Sequence, residues 1–233
     1  MMFFRKRKQN SQDQKEVLMK KGMEFYKQEK FEEAMTYLDD VIKLDPNDSE
    51  LWDLKGIIFT LMNRNEEAVN SWDKALKINP KDITALQMRS KYLNKLCRYQ
   101  EALELSEEAL RLDPENYKAL SNKGHSFIGL KKFQESLDFF DKSIELKPDY
   151  FKAWCYKGMA FGYLERHDEA LKCFEKVVTL KPGNAHGWSG KALTLEKLGR
   201  PEEALECYKK SLKLNPNSQF TKNAIEHILS MKS

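Results

Sequence analysis

Apolar residues within the stretch 151–182 recur with the spacing of one face of an α-helix, in two successive runs. In the first run Trp154 and Phe161 are two helical turns apart, so they fall on the same side of a helix that rotates about 100° per residue. The second run contains Phe174 and stops at Pro182, because proline cannot continue a helix. The pattern predicts two amphipathic helices joined by a tight turn.

The same pattern occurs six times along the chain. Its clearest marker is a set of prolines at a constant spacing of 34 residues: Pro46, Pro80, Pro114, Pro148, Pro182 and Pro216. Counting back from each proline gives six units, 15–48, 49–82, 83–116, 117–150, 151–184 and 185–218. A fixed period of this length predicts a stack of helical hairpins.

Several places within each unit repeat the same residue type. Place four holds Leu18, Trp52, Leu86, Leu120, Trp154 and Trp188; place eight holds Gly22, Gly56, Ser90, Gly124, Gly158 and Ala192; place eleven holds Phe25, Phe59, Leu93, Phe127, Phe161 and Leu195; place twenty holds Ala34, Ala68, Ala102, Ser136, Ala170 and Ala204. This set resembles the tetratricopeptide repeat (TPR). The resemblance implies an all-α fold, an α-solenoid wound as a right-handed superhelix of six helix-turn-helix repeats.

The segments outside the repeats lead to two further predictions. Residues 1–14 combine an apolar start with the basic run Arg5–Lys8, and we expect a disordered tail; a weak anchor for a membrane surface or an acidic partner through the FFRKRK segment is the alternative. Residues 219–233 have one apolar face and predict a C-terminal capping helix. The chain has no run of about 20 apolar residues, so we expect no transmembrane helix.

Composition and motifs argue against catalysis. The net charge of +4 is too small to indicate nucleic-acid binding, and the four cysteines form no CxxC motif, which favours a reduced cytoplasmic location. The glycine-rich stretch 187–191 lacks the spacing of a phosphate-binding loop, so we interpret it as helix packing. A metal site at His125, Cys155 and His186 is a minor alternative. We therefore predict a protein that is not an enzyme and needs no cofactor.

A binding surface is predicted on the first helix of each repeat. In the TPR family this helix mainly lines the concave groove, and its non-core face carries places two, five, nine, twelve and thirteen. In repeats one and two, five of the ten residues on this face are apolar, and exposed apolar patches usually mark binding surfaces. The candidate residues there are Met19, Met23, Tyr26, Asp53, Ile57 and Leu61.

In repeats three to five the same face carries four lysines and no acid. This composition favours an acidic segment or a chain-terminal carboxylate as the ligand. The candidate residues are Gln87, Lys91, Asn94, Lys95, Lys118, Asn122, His125, Lys152, Tyr156, Met159 and Tyr163. Some TPR domains clamp the terminal carboxylate of chaperone peptides; Asn122 and Lys152 match that clamp, whereas Gln87, Lys91 and Tyr156 depart from it.

We therefore predict an adaptor or scaffold that binds an extended or helical segment of another protein in its groove. Two alternatives stay open at this point. The first alternative is a structural module that self-associates into a homo-oligomer. The second is a regulatory subunit of an enzyme on another chain, because fold does not fix function. RNA binding is less favoured, since few aromatic residues accompany the lysines of the groove.

Overall fold

The computed structural model describes residues 2–230, with side chains from Gln12 onward. The described residues form thirteen α-helices and no strand, so the fold is all-α. The helices are α1 Met2–Lys27, α2 Phe31–Leu44, α3 Ser49–Leu61, α4 Asn65–Ile78, α5 Ile83–Lys95, α6 Tyr99–Leu112, α7 Tyr117–Gly129, α8 Phe133–Leu146, α9 Phe151–Tyr163, α10 His167–Leu180, α11 Ala185–Lys197, α12 Pro201–Leu214 and α13 Gln219–Ser230. The predicted α-solenoid architecture of paired helices is confirmed.

The N-terminal segment differs from the sequence-based expectation. We predicted a tail over residues 1–14, whereas α1 begins at Met2 and continues without interruption to Lys27. Residues 2–14 contain neither proline nor glycine, so nothing in this segment breaks a helix. The proposed anchor through the FFRKRK side chains lies outside the described side chains. No helix in the described part of the chain combines the length and apolar character needed to cross a membrane.

A left-handed residue forms the turn inside each repeat. Six residues, 34 positions apart, have φ between 58° and 70°: Glu29, Asn63, Cys97, Lys131, Glu165 and Gly199. Each ends the first helix of its pair and lets the chain reverse into the second. Only Gly199 is a glycine, the residue that adopts this conformation without a steric penalty.

The joints between repeats are fixed by side chains that the period places there. Asp48, Asp82, Asn116 and Asn184 each accept a hydrogen bond from a backbone N–H in the first turn of the next helix. The tryptophans of place four add a second contact to the ladder prolines. Trp52, Trp154 and Trp188 donate from Nε1 to the carbonyl oxygens of Pro46, Pro148 and Pro182, at 3.1, 2.9 and 2.8 Å.

The helices form two compact units, with the first ending at Leu112 and the second beginning at Asp113. In both units the second helix of a repeat places a large aromatic ring on the glycine of place eight. Trp72 covers Gly56 in the first unit and Phe140 covers Gly124 in the second, and both rings are fully buried. A side chain at either glycine would overlap the ring above it.

Repeat three replaces this aromatic–glycine pair with two serines. Ser90 stands in place of the glycine and Ser106 in place of the aromatic ring, and both are completely buried. Their hydroxyl oxygens are 2.7 Å apart, and each hydroxyl also lies within hydrogen-bond distance of the carbonyl of Ala102. The two serines of repeat three therefore form a buried polar pair whose hydrogen bonds are satisfied.

Ion pairs connect neighbouring repeats within each unit. The pairs join an acid at place 25 of one repeat to a cation at place seven of the next, 16 residues later. They are Asp39–Lys55 and Asp73–Arg89 in the first unit, and Asp141–Lys157 and Glu175–Lys191 in the second. The cationic side chains are mostly buried, so these pairs are less screened by water and salt than exposed pairs.

The last helix, α13, contacts α12 and continues the register of the repeats. It buries Thr221 and Ile228 at the end of the stack. Tyr208, the ring that α12 supplies, is fully buried and also contacts the ring of Phe220. The contacts of α13 are those expected of the predicted capping helix, as far as Ser230.

Candidate functional site

The apolar patch predicted in repeats one and two is largely closed. Met19, Met23 and Tyr26 are half-buried, and together with Leu54 and Ile58 of α3 they line a space of only about 10 Å³. These side chains therefore pack between α1 and α3 instead of lining an open groove. Ile57 is half-buried, and of the apolar candidates in this patch only Leu61 is exposed, with half of its surface accessible.

Asp53 is the one acid among the candidate residues of repeats one and two, and its surroundings disfavour the charged form of its carboxyl group. Its Oδ1 is buried and finds no hydrogen-bond donor among the described residues. Burial raises the pKa of Asp53 to about 7, and the neighbouring carboxylate of Asp82 adds to the increase. Asp53 therefore exchanges its proton near neutral pH.

The candidates of α5 are divided between surface and core. Lys91 and Lys95 lie over the ring of Tyr92, with Nζ at 4.6 and 5.8 Å from its centroid. Gln87 is half-buried. Asn94 was expected in the groove, but only 2% of its surface is accessible. Place twelve lies at the edge of the core face of this helix, and a short side chain there is enclosed by its neighbours.

The candidates of α7 show the same division. Lys118 is exposed, with Nζ 5.7 Å from the ring centroid of Tyr117. Asn122 was also expected in the groove and is buried instead, because place six faces the neighbouring helix. Its burial removes the side chain that matched the carboxylate clamp in this repeat.

His125 stacks on Tyr156 of α9, with ring centroids 4.2 Å apart. Burial lowers the pKa of His125 to about 4, so the ring is neutral at pH 7. The side-chain positions give the minor metal-site alternative with Cys155 and His186 no support. Among the described residues no three potential ligands lie close enough to hold a metal ion.

The open space of the second unit lies between α9 and α11. A groove of about 640 Å³ runs between these two helices, and α10 and α13 supply further side chains to it. It is called the α9–α11 groove below. It is lined by Phe151, Lys152, Cys155, Tyr156, Gly158, Met159, Gly162, Tyr163, His167, Phe174, Asn184, His186, Ser189, Gly190, Leu193, Thr194, Lys197 and Phe220.

The groove contains four of the predicted site residues: Lys152, Tyr156, Met159 and Tyr163. The wall that repeat six supplies was not among the predicted residues. In repeat six, the places that gave the candidates of repeats one to five hold His186, Ser189, Leu193, Glu196 and Lys197, and all of these except Glu196 line the groove. The signal was therefore present in the period itself. Phe220, an exposed ring near the start of the capping helix, carried no comparable signal.

Two glycines shape this groove. At place six, Leu54 of α3 fills the space next to α1, and Tyr156 of α9 packs on His125; in α11 the same place is Gly190. A Cβ atom on Gly190 would lie 2.4 Å from the ring of Phe174, so this ring forms the floor of the groove against the α11 backbone. A Cβ atom on Gly162 would meet no atom within 4 Å. A side chain is thus missing from the α9 wall at Gly162, whereas the place beside Gly190 is taken by the ring of Phe174.

Substitutions at these two glycines should have opposite effects on stability. We expect Gly162→Ala to raise the free energy of unfolding by about 0.5–1 kcal/mol, because it adds helix propensity without a steric contact. We expect Gly190→Ala to lower it by roughly 1–3 kcal/mol, because the methyl group overlaps Phe174. Denaturant unfolding followed by far-UV circular dichroism measures both. A loss of stability in Gly162→Ala would contradict the open space described here.

The lining of the groove is apolar with a basic margin. Tyr163, Leu193 and Phe220 expose 57, 41 and 54% of their surface, a large fraction for such side chains. The lining residues include two lysines and two histidines, but no aspartate or glutamate among the described residues. Burial raises the pKa of the Cys155 thiol to about 11, so this cysteine is not a thiolate nucleophile at neutral pH.

A chain of stacked helical hairpins with an exposed groove on the first helices is an α-helical repeat protein. Models of the tetratricopeptide repeat match residues 15–48, 49–82, 92–151, 151–184 and 185–218. The chain therefore belongs to the tetratricopeptide repeat family, as the sequence pattern predicted. Repeats of this family generally serve as protein–protein interaction modules.

Solved structures show the same fold at low sequence identity. A chain of the APC/C hetero-tetramer Cut9–Hcn1 superimposes with a TM-score of 0.78 and a sequence identity of 17% over 89% of this chain. This chain spans only 41% of the length of that one. PilW, a type IV pilus biogenesis factor, superimposes with a TM-score of 0.76 and a sequence identity of 20%, and the match covers 92% of this chain and 98% of PilW. TTC0263, a thermophilic TPR protein from Thermus thermophilus, superimposes with a TM-score of 0.70 and a sequence identity of 20%, and the match covers 78% of this chain and 99% of TTC0263. No curated protein matches the chain.

Proposed function

We propose that this protein is a non-enzymatic adaptor that binds an apolar segment of another protein in the α9–α11 groove. The observation that carries the proposal is the groove itself, an open space of about 640 Å³ with exposed Tyr163, Leu193 and Phe220 at its edges. Exposed apolar surface of this kind favours burial by a partner. One solved structure of the same fold, YrrB, is described as a TPR protein with an unusual peptide-binding site; it has a TM-score of 0.54 and 24% identity over 81% of this chain and 97% of its own.

The groove replaces the first-unit patch as the preferred docking surface. We predicted apolar docking at Met19, Met23, Ile57 and Leu61, but Met19 and Met23 are half-buried and share a space of only about 10 Å³ with Leu54 and Ile58. Side chains packed in this way have little further apolar surface to bury against a partner. The lysines of the groove, Lys152 and Lys197, keep the predicted preference for an acidic segment, now at the other end of the chain.

We also propose a reducing location such as the cytoplasm. All four cysteines are free, and Cys97 is exposed at a turn, where it would be open to oxidation in an extracellular setting. Cys173 and Cys207 are buried and behave as small core residues.

Site-specific photo-crosslinking tests the proposed function. A photoreactive phenylalanine analogue at Leu193 faces the groove, and the same analogue at Leu214, an exposed leucine outside the lining, is the matched control. We expect partner proteins in a native cell extract to be crosslinked from position 193 and not from position 214. We also expect Gly162→Trp to abolish the crosslinks, since the indole fills the groove, and Gly162→Ala to preserve them.

Two outcomes of the crosslinking experiment would contradict the proposed site. Equal crosslinking from both positions, or crosslinks that survive Gly162→Trp, would place the interaction elsewhere on the surface. The Gly162→Trp variant is first compared with the wild type by circular dichroism and thermal unfolding, because a filled groove must not be confused with an unfolded protein. The open space beside Gly162 is the reason to expect a folded variant.

A further inference from the structure

Rings and sulfur atoms dominate the lining of the α9–α11 groove. Seven of its eighteen described lining residues carry an aromatic or imidazole ring, and Cys155 and Met159 carry sulfur. The single leucine, isoleucine or valine among these described residues is Leu193. Aromatic rings attract other rings in stacked or edge-on arrangements, and a thioether sulfur makes favourable contacts with ring edges. The lining therefore favours an aromatic side chain of a partner over an aliphatic one.

The ring of Tyr163 is held in place at one end of the groove. It stacks on Phe133 of α8, with ring centroids 4.7 Å apart and an angle of 19° between the ring planes. In spite of this contact, 57% of the surface of Tyr163 is accessible. A side chain that is already ordered loses little conformational freedom when a partner covers it. Tyr163 thus offers a preformed surface on which a second ring can pack.

The space for that second ring lies beside Gly162. A Cβ atom on Gly162 would meet no atom within 4 Å. Met159 lies one helical turn before Gly162 on the same face of α9, and Tyr163 follows it directly. All three residues line the groove. A ring that enters beside Gly162 therefore comes into contact with the thioether of Met159 and the ring of Tyr163.

Lys197 supplies a positive charge at the same end of the groove. It is the last residue of α11, as Tyr163 is of α9, and the two helices point in the same direction because α10 returns the chain between them. Lys197 is exposed, and no carboxylate in the described part of the chain forms an ion pair with it. The neighbouring Glu196 contacts the hydroxyl of Tyr208 and the ring of His227 instead. An acidic residue of a partner would complement this free charge.

The helix dipoles do not oppose an acid at this end. The second helices α10 and α12 begin next to the ends of α9 and α11, so the positive end of one helix lies beside the negative end of the other. Neighbouring packed helices lie about 8–10 Å apart, and an extended chain rises about 3.3 Å per residue. A ring beside Gly162 and an acid facing Lys197 are therefore about two to three residues apart in an extended segment.

We propose that the α9–α11 groove binds a segment of another protein through one aromatic side chain inserted beside Gly162, with an acidic residue within about three positions of that ring facing Lys197. This inference rests on the proposed function and specifies the partner of that same site. The partner's ring packs on Tyr163 and Met159. A segment anchored by leucine, isoleucine or valine lacks these ring contacts and binds more weakly.

Selection from a displayed library of random peptides tests the anchor before any partner has been identified. The full chain and the Gly162→Trp variant, in which the indole takes the place of the partner's ring, are immobilised side by side. Peptides enriched on the wild type but not on the variant are sequenced. We expect them to share a Phe, Tyr or Trp with an Asp or Glu within about three positions. Enriched peptides that share only Leu, Ile or Val would overturn the aromatic anchor.

Paired substitutions in the peptide and the protein measure the ring contact directly. We expect replacement of the aromatic residue of a selected peptide by leucine to weaken binding to the wild type about threefold to tenfold, measured by fluorescence anisotropy at fixed salt. The same peptide change should have a smaller effect on binding to Tyr163→Leu, because one ring of the pair is already gone. Tyr163→Phe keeps the ring and should behave as the wild type. Equal effects in all three proteins would contradict the ring contact.

Charge reversal tests the acidic residue. We expect Lys197→Glu to weaken binding of a selected peptide about tenfold, and replacement of the peptide's acid by lysine to restore it. The control is Lys176→Glu, which makes the same charge change at an exposed position of α10 outside the lining. Equal weakening by both variants would show that net charge alone acts, and the acidic part of the inference would be wrong.

The outcomes separate this inference from the proposed function. Peptides that require the open groove but carry aliphatic anchors would overturn the inference and leave the groove as the binding site. If no peptide prefers the wild type to Gly162→Trp, binding does not use the groove, and both the inference and the proposed site are wrong. Peptides lost on Gly162→Trp that also show the ring coupling to Tyr163 and the specific loss in Lys197→Glu support both.

Discussion

Replacing Trp72 by alanine should lower the free energy of unfolding by about 3–5 kcal/mol, the range for removing a large aromatic side chain from a packed core. Only 1% of Trp72 is accessible, and its ring lies against Gly56 of its own repeat and 5.3 Å from the ring centroid of Tyr92 in the next. The substitution leaves a cavity between two repeats. Because repeats contact only their neighbours, the damage weakens the coupling of the first unit along the stack.

The matched comparison is Trp72→Phe, because Phe140 occupies the same place in repeat four above Gly124. We expect this variant to lose much less stability than Trp72→Ala. Urea unfolding monitored by far-UV circular dichroism measures both, together with the cooperativity of the transition. A loss below about 1 kcal/mol for Trp72→Ala would contradict the packing described here, since cavities of this size are costly.

Replacing Asp53 by asparagine should stabilise the protein at pH 8 by on the order of 2 kcal/mol. A tenfold change in an acid constant corresponds to about 1.4 kcal/mol, and the pKa of Asp53 is raised to about 7; residual solvent access reduces the effect. The amide carries no charge, so it avoids both the burial of a carboxylate and its repulsion from Asp82. Asn also supplies a donor beside Asp82.

The pH dependence gives the sign of this effect. The folded protein holds the Asp53 proton more tightly than the unfolded chain, so this group's contribution to stability is fully present below the unfolded pKa of Asp. It is lost as the pH rises through about 7. The advantage of Asp53→Asn should therefore be largest at pH 8 and vanish near pH 4. A difference between variant and wild type that stays constant with pH would mean that Asp53 is not buried as a carboxyl group.

The period predicted most of the fold because each repeated residue has a physical task at one joint. The prolines end helices, and the capping residues Asp48 and Asn184 begin the next ones. The sequence showed that tryptophan and proline recur together, and the structure adds the reason: Trp154 donates its Nε1–H to the carbonyl of Pro148. Helix phase and chain reversal are local properties, so a sequence pattern captures them well.

The candidate site was predicted less well, because an open groove depends on pairs of helices. The rotation of 100° per residue indicates which way a side chain points and does not indicate what stands opposite. Met19 and Met23 lie on the expected side of α1, but Leu54 of α3 stands opposite them and only about 10 Å³ of space is left between these side chains. Gly190 was interpreted as helix packing, which its contact with Phe174 agrees with. The empty space borders Gly162 instead, and its existence depends on what stands opposite α9, which the sequence of one helix does not show.

The ion pairs between neighbouring repeats also give the array a direction. At each paired joint within the two units, the acid comes from the preceding repeat and the cation from the following one. After repeat six this pattern changes: α12 carries Lys209 where the acid would stand, and α13 carries Ile225 where the cation would stand. Each of these interior repeats has its cation at place seven and its acid at place 25, so the charges of an extra repeat of this type match those of both neighbours when it is inserted between two of them. The same repeat placed directly after α12 would bring its cation next to Lys209. The charges therefore permit the insertion of a repeat between interior repeats and oppose the addition of one directly after α12.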